Sequence, residues 1–319
     1  MTRLLAAVFL FASAAGNLFA QSFPARPLTL ISPFPPASTT YQYLQAFAPI
    51  ASKYVGQTIV LVSQPGENGT LGPATMAASA PPDGYSLALL PITAMRIPHM
   101  RRVSWDPLKD FTYVIGLAGL TIGIAVKSDS QFKTFQDFME FAKANPGKLR
   151  YAVGEFGGSP HLVMEELEIT TGAKFQRVLV RGNVEAGNAL MEGRVLALSD
   201  TSSWGPRVDS GAFRLLVTFG ERRSRWNAPT AMELGVKILS YSPFGIVAPK
   251  GMDPTRTKLL HDAFNRALDD PEYAELLKRF EIVDWYKSSE DYAEWAVDQF
   301  RFQRALIERT IGLGTGLQR

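Results

Sequence analysis

The chain has 319 residues, 46% hydrophobic and 20% charged, a balance that suits a globular protein of roughly two α/β domains. Its 33 basic and 30 acidic residues are spread without a dominant block, so the formal charge of +3 carries no nucleic-acid signature and argues against a polyanionic partner. With no cysteine, a lipoprotein anchor, a disulfide framework and a cysteine metal site are all excluded.

The first element is a leader. Arg3 precedes an apolar core from Leu4 to Ala15, and Ala20 offers a cleavage site, so residues 1–20 read as a secretory signal peptide cut before Gln21. The core is too short to span a bilayer as a mature helix, which predicts an exported, unlipidated periplasmic protein. A strand, Leu28 to Ile31, then runs into Pro33-Phe34-Pro35-Pro36. The prolines fix φ and remove amide donors, so the chain leaves the sheet stiffly at this point. Ser38, Thr39 and Thr40 follow as a helix start, with Tyr41, Leu44, Phe47, Ala48, Ala51 and Tyr54 as its apolar face and Gly56 as its stop. Free amides at such a start attract carboxylates.

Short apolar strands continue at Thr58 to Val62, Ser86 to Leu90, Thr112 to Gly116 and Thr121 to Val126, with Pro82-Asp83-Gly84 as a turn. Thr134 and Asp137 form a capping box ahead of Phe135, Phe138, Phe141 and Ala142, and Asn145-Pro146-Gly147 ends that helix. Further strands read at Arg150 to Val153, Gln176 to Val180, Val195 to Ser199 and Arg214 to Phe219. Beyond residue 250 the pattern is nearly continuous helix, opened at Pro254 and Pro271, with Tyr292, Trp295, Ala296, Gln299 and Phe302 as a core stripe. Alternating strands and helices imply parallel strands with helical crossovers.

An ordered set of motifs runs through this frame: Pro33-Phe34-Pro35-Pro36, Pro65-Gly66 with Gly69 and Gly72, Pro82-Asp83-Gly84-Tyr85, and Asp106-Pro107-Leu108-Lys109-Asp110-Phe111. It continues through Ala144-Asn145-Pro146-Gly147-Lys148-Leu149, Tyr151-Ala152, Ser159, His161-Leu162, Gly193 with Val195, Asp200, Gly245, Ala248-Pro249, Gly251 and Pro254. In order and spacing the set resembles the Bug-type substrate-binding proteins of tripartite tricarboxylate transporters. The resemblance implies a two-lobed α/β periplasmic binding protein of type II character, with the ligand trapped between the lobes and the first lobe discontinuous. Lobe 1 is expected over 21–120 and 241–319, and lobe 2 over 121–240. A two-part membrane permease is the implied partner, with a membrane sensor as the alternative, and the receptor is expected to act as a monomer without cofactor or metal.

The same resemblance places the ligand loops. Phe34, Ala37, Ser38, Thr39, Thr40 and Tyr41 match the first, and Phe156, Gly157, Gly158 and Ser159 the loop that closes from the second lobe. Arg181 and Asn183 match a third contact loop, Asp200 and Thr201 stand at the end of the next strand, and Thr93 and Met95 follow the strand ending at Leu90. Arg181 reads equally as a ligand clamp or a solvated residue, Asp200 as a pocket contact or a helix cap, and Tyr41 as a pocket wall or a core residue. The chain departs from the family where Ala37, Ser38 and Tyr41 replace two glycines and an aspartate. It departs again where Val153, Glu155 and Phe156 replace small residues, and at Ser63-Gln64 and Glu67. Because Phe34, Tyr41 and Phe156 can pack against a ring while Ser38 to Thr40 hold an anion, an aromatic or apolar monocarboxylate is the expected ligand, with a compact di- or tricarboxylate as runner-up.

Catalysis has little support. The histidines are scattered, only Ser159 and His161 lie close, and no GxSxG, HExxH or GxxxxGK[ST] pattern occurs, so a secreted serine hydrolase is the weakest alternative.

Overall fold

A computed structural model describes residues 23–312; the leader expected at 1–20 lies outside them. The strands are β1 (Leu28–Ser32), β2 (Ile59–Ser63), β3 (Ser86–Pro91), β4 (Phe111–Lys127), β5 (Leu149–Val153), β6 (Phe175–Leu179), β7 (Ala197–Thr201), β8 (Phe213–Thr218), β9 (Tyr241–Pro249) and β10 (Ile282–Lys287). The helices are α1 (Thr39–Val55), α2 (Leu71–Ser79), α3 (Ile97–Met100), α4 (Phe135–Ala144), α5 (Ser159–Thr171), α6 (Gly182–Met191), α7 (Gly205–Asp209), α8 (Pro254–Leu268), α9 (Pro271–Phe280) and α10 (Ser289–Thr310).

Local chemistry sets several boundaries as expected. Ser38 caps α1 by accepting from the Tyr41 amide, and Gly56 closes it in the left-handed region at φ 77°. Thr134 and Asp137 form the full capping box on α4.

The strands form one curled sheet in the order β2-β1-β3-β9-β4-β7-β5-β6, with β8 and β10 also paired to β4. β1 runs parallel to β2 and β3, and β5 parallel to β6 and β7. β4 ties the halves together. It pairs antiparallel with β9 as far as Thr121↔Tyr241, then with β7 from Ile122↔Thr201 and with β8 from Gly123↔Thr218. From Tyr113 to Val126 the strand is buried at every position, as a strand covered on both faces must be.

Two large apolar clusters lie on either side of this change of partners. Tyr43, Phe47, Phe264 and Tyr273 pack α1 against α8 and α9, while Phe132, Phe138 and Phe175 anchor α4 to β6. Burying each such ring stabilises by roughly 1.5–3 kcal/mol.

Four expectations need correction. Thr112 to Gly116 and Thr121 to Val126 are one strand, because Gly119 and Leu120 between them stay paired to β9. The region beyond 250 is broken by β10, which adds to β4 and buries Trp285. The aromatic facing the α1 core is Tyr43, not Tyr41, which is half-buried beside the cap. Phe302 is 56% exposed, and the α10 stripe continues instead through Gln303, Leu306 and Ile307.

Candidate functional site

The carboxyl ends of β1, β3, β5 and β7, and the start of α6, converge where β4 passes between the clusters, the usual ligand position in open α/β sheets. They enclose a cavity of about 70 Å³. It opens toward a wider mouth of about 690 Å³, with Ser38, Thr39 and Asn183 lining both.

Five loops build the inner cavity. In the first, Ser63 Oγ holds the Phe34 carbonyl at 3.0 Å, which aims the chain at the cavity before α1 begins. Thr39 and Thr40 occupy the first turn of α1, where amides have no intrahelical acceptor, and both line the cavity with Phe34 and Ser38. From β3, Thr93 lines it too, its hydroxyl fixed on the Asn68 carbonyl at 2.7 Å.

The second-lobe loop contributes Val153, Gly154, Glu155, Ser159 and Pro160. A Cβ on Gly154 would lie 2.8 Å from the Gly182 backbone, so only glycine lets β5 approach the start of α6 this closely. Ser159 is 2% exposed; its hydroxyl accepts from Arg96 Nη1 at 2.8 Å and lies 3.4 Å from Ser242 Oγ. From the last two loops, Asn183 Nδ2 donates to Thr201 Oγ1 at 3.3 Å, and Asp200 accepts from the Thr201 amide at 2.7 Å and from the Ser203 hydroxyl. Burial pushes the Asp200 carboxyl up to about 7, against those hydrogen bonds and with the help of nearby Glu155. Glu155 is raised as well, by burial, with Arg96 opposing.

Of the residues singled out from sequence, Phe34, Ser38, Thr39, Thr40, Thr93, Ser159, Asn183, Asp200 and Thr201 line the inner cavity, and Ala37 lines the mouth. The other six lie elsewhere. Tyr41 is turned onto α1, Met95 is buried in a separate core cluster, and Arg181 is exposed with its amide bonded to Glu185. Phe156 packs on His161 beneath the Arg177 guanidinium, because its backbone is drawn to the other lobe by Asn68 Nδ2 at 2.8 Å. Gly157, at φ 74°, donates to His161 Nδ1 at 3.0 Å and lies against Met100, and Gly158 caps α5. These glycines shape the loop without lining the cavity.

Sequence reasoning passed over Arg96 and Ser242, and treated Glu155 only as a departure. Arg96 is 3% exposed, bonded to Gln303 at 2.7 Å and to Ser159, and burial lowers its guanidinium to about 10. No motif marks it. Glu155 could have been found, since it stands two residues beyond the end of β5.

Four contacts join segments on either side of the cavity: Asn68 to Phe156, Arg96 to Ser159, Arg309 to Glu166, and Arg225 to Glu281. The Ser159 and His161 pair is not catalytic in geometry. One ring nitrogen of His161 accepts from Gly157 and the other faces Glu165 at 3.0 Å, while Ser159 is held by Arg96. No group of three metal-binding side chains occurs among the described residues, and none of their helices is long and apolar enough to cross a membrane.

The family described as tripartite tricarboxylate transporter family receptor matches residues 45–313. The chain belongs to this family. A UPF0065 protein of Cupriavidus necator is 41% identical over 292 residues, covering 91% of this chain and 89% of the relative. Protein BugT of Bordetella pertussis is 30% identical over 285 residues, covering 86% and 87%. A solved R. palustris protein with adipate superposes with a TM-score of 0.83 at 24% identity, covering 91% of this chain and 99% of that one, and so shares the fold. The Bug-type resemblance and the two-lobed α/β class read from the motifs are thereby borne out. Proteins of this family are periplasmic solute-binding receptors.

Proposed function

We propose that this receptor captures a compact organic carboxylate between its lobes and presents the closed form to a membrane permease. The observation that carries the reading is the enclosed cavity, in which the first-turn amides of α1 meet the Ser159 loop of the opposite lobe. A carboxylate bridging the two favours the closed form by its differential affinity, and the closed shape is what a permease recognises. The lobes in this reading are 21–120 with 241–319, and 121–240, acting as a monomer after removal of residues 1–20. The change of β4 partners between Thr121 and Ile122 supports that division.

Compactness displaces the aromatic preference. Tyr41 and Phe156 do not line the cavity, and about 70 Å³ is well below the ~150 Å³ that admits a benzene ring. The fold shared with an adipate-bound protein supports a carboxylate as the ligand class. The test is thermal unfolding of the mature chain with acetate, propionate, succinate, adipate and benzoate. A compact acid that raises the melting temperature in a saturable way supports the reading, as mass action requires. Stabilisation by benzoate alone returns the aromatic ligand to first place.

A further inference from the structure

A second cavity, of about 400 Å³, lies on the other face of β9 from the inner cavity. Ser242 lines the inner cavity while its neighbours Tyr241 and Pro243 line this one, as the alternation of side chains along a strand requires. Arg96 belongs to the partition between them. It lines the second cavity, and its Nη1 donates to Ser159, which lines the first.

The fold leaves this cavity with more donors than acceptors. Arg96 is 3% exposed; its Nε donates to Gln303, and its Nη1 to Ser159 and the Gly157 carbonyl. Its Nη2 has no hydrogen-bond partner among the described residues, yet it is not sealed from solvent, so an acceptor reaches it from the cavity. No carboxylate among the described residues forms an ion pair with Arg96, and the acid of this wall, Glu166, is already paired with Arg309. Lys237, exposed on the segment before β9, also lacks a hydrogen-bond or ion-pair partner among the described residues. A buried guanidinium without an anion beside it is costly, and an incoming anion relieves that cost. The rest of the lining includes Trp295, Phe302 and Leu239, and the last two are exposed although large and apolar. The volume falls in the range of roughly 300–1,000 Å³ typical of small-molecule sites. It is also well above the ~150 Å³ that admits a benzene ring.

We propose that this second cavity is a binding site for an amphipathic anion, a carboxylate attached to an aromatic ring system. Its acid group lies at Arg96 Nη2 and Lys237, and its rings lie against Trp295, Phe302 and Leu239. The site is separate from the inner cavity, so it adds to the receptor reading and does not depend on which acid the inner cavity takes. Charge and apolar surface are both needed: the anion answers the donors that the fold leaves over, and the rings cover the side chains that it leaves exposed.

Isothermal titration calorimetry at pH 7 tests this with 2-naphthoate, whose fused rings exceed the inner cavity, against the uncharged 2-naphthalenemethanol. The expected result is one 2-naphthoate per chain, bound at least ten-fold more tightly than the alcohol. Lys237→Gln and Phe302→Ser each weaken it at least five-fold. Both residues are exposed, so circular dichroism and the melting temperature of the ligand-free variants stay those of the parent chain. Unchanged affinity in either variant places the ring acid elsewhere and overturns the site. An alcohol that binds as tightly as the acid overturns the role of Arg96 and Lys237. A chain that binds no 2-naphthoate overturns this proposal alone, because the response to compact acids that tests the receptor reading is measured separately.

Discussion

The mouth of the cleft and the cavity beneath it differ in sign as well as size. The mouth, about 690 Å³, is lined by Arg207, Arg225, Lys278 and Arg279 against Asp209 and Glu275, with Trp204 and Trp226 in edge contact at 5.1 Å. The inner cavity, about 70 Å³, is lined by two carboxyls and the starts of three helices. Charges at the mouth stand in high dielectric and act through a screened long-range field, which alters encounter rates. Those inside are desolvated, so each governs stability and selectivity. The two regions share Ser38, Thr39 and Asn183, which places the change of sign within one helix turn.

The sharpest way to separate the two regions is pH. Burial raises the Asp200 carboxyl from 3.8 to about 7, and Glu155 moves in the same direction. At these two carboxyls the folded chain therefore binds more protons than the unfolded one in this window. The stabilisation from Asp200 is fully present below about pH 4 and is lost as pH rises through about 7, on the order of 4 kcal/mol in all. Urea unfolding of the ligand-free protein between pH 4 and 8 measures it. Asp200→Asn flattens the profile, whereas Arg207→Gln at the mouth leaves it unchanged; identical profiles for all three proteins would abolish the distinction.

A smaller effect is expected behind the cavity. Arg96→Leu removes the charged donor from Gln303 and Ser159 and lowers stability by about 2 kcal/mol in urea unfolding. It also removes a contact between lobes, so ligand affinity falls along with stability. Affinity that stays constant would confine Arg96 to the fold of its own lobe.

The smallest effect belongs to the mouth. Arg207→Gln with Arg279→Gln slows association of a monoanionic acid a few-fold at low salt, and the difference disappears at high salt. Dissociation does not change. Stopped-flow tryptophan fluorescence, using Trp204 and Trp226, reads both rates.

Much of the site was legible because loops at the ends of successive strands share one edge of the sheet. Proline turns, caps and strand ends are written in neighbouring residues, so the family resemblance together with loop position pointed to Phe34, Ser38 to Thr40, Ser159, Asn183, Asp200 and Thr201, which line the cavity. Side-chain direction was not legible in the same way. Tyr41 and Phe156 stood in the right loops, but the α1 cap turned one away and the Asn68 contact drew the other to the opposite lobe.

The sequence by itself determined the α/β class, the capped helices and the family, because these depend on periodicity, cap chemistry and ordered motifs that survive without knowledge of contacts. Only the tertiary structure decided that Arg96 would reach Ser159 across 63 residues, that β4 would serve both halves as one strand, and that Glu155 and Asp200 would line one cavity. The reason is physical: local conformation is set by neighbours along the chain, whereas the size and charge of a cavity are set by which distant segments close upon one another.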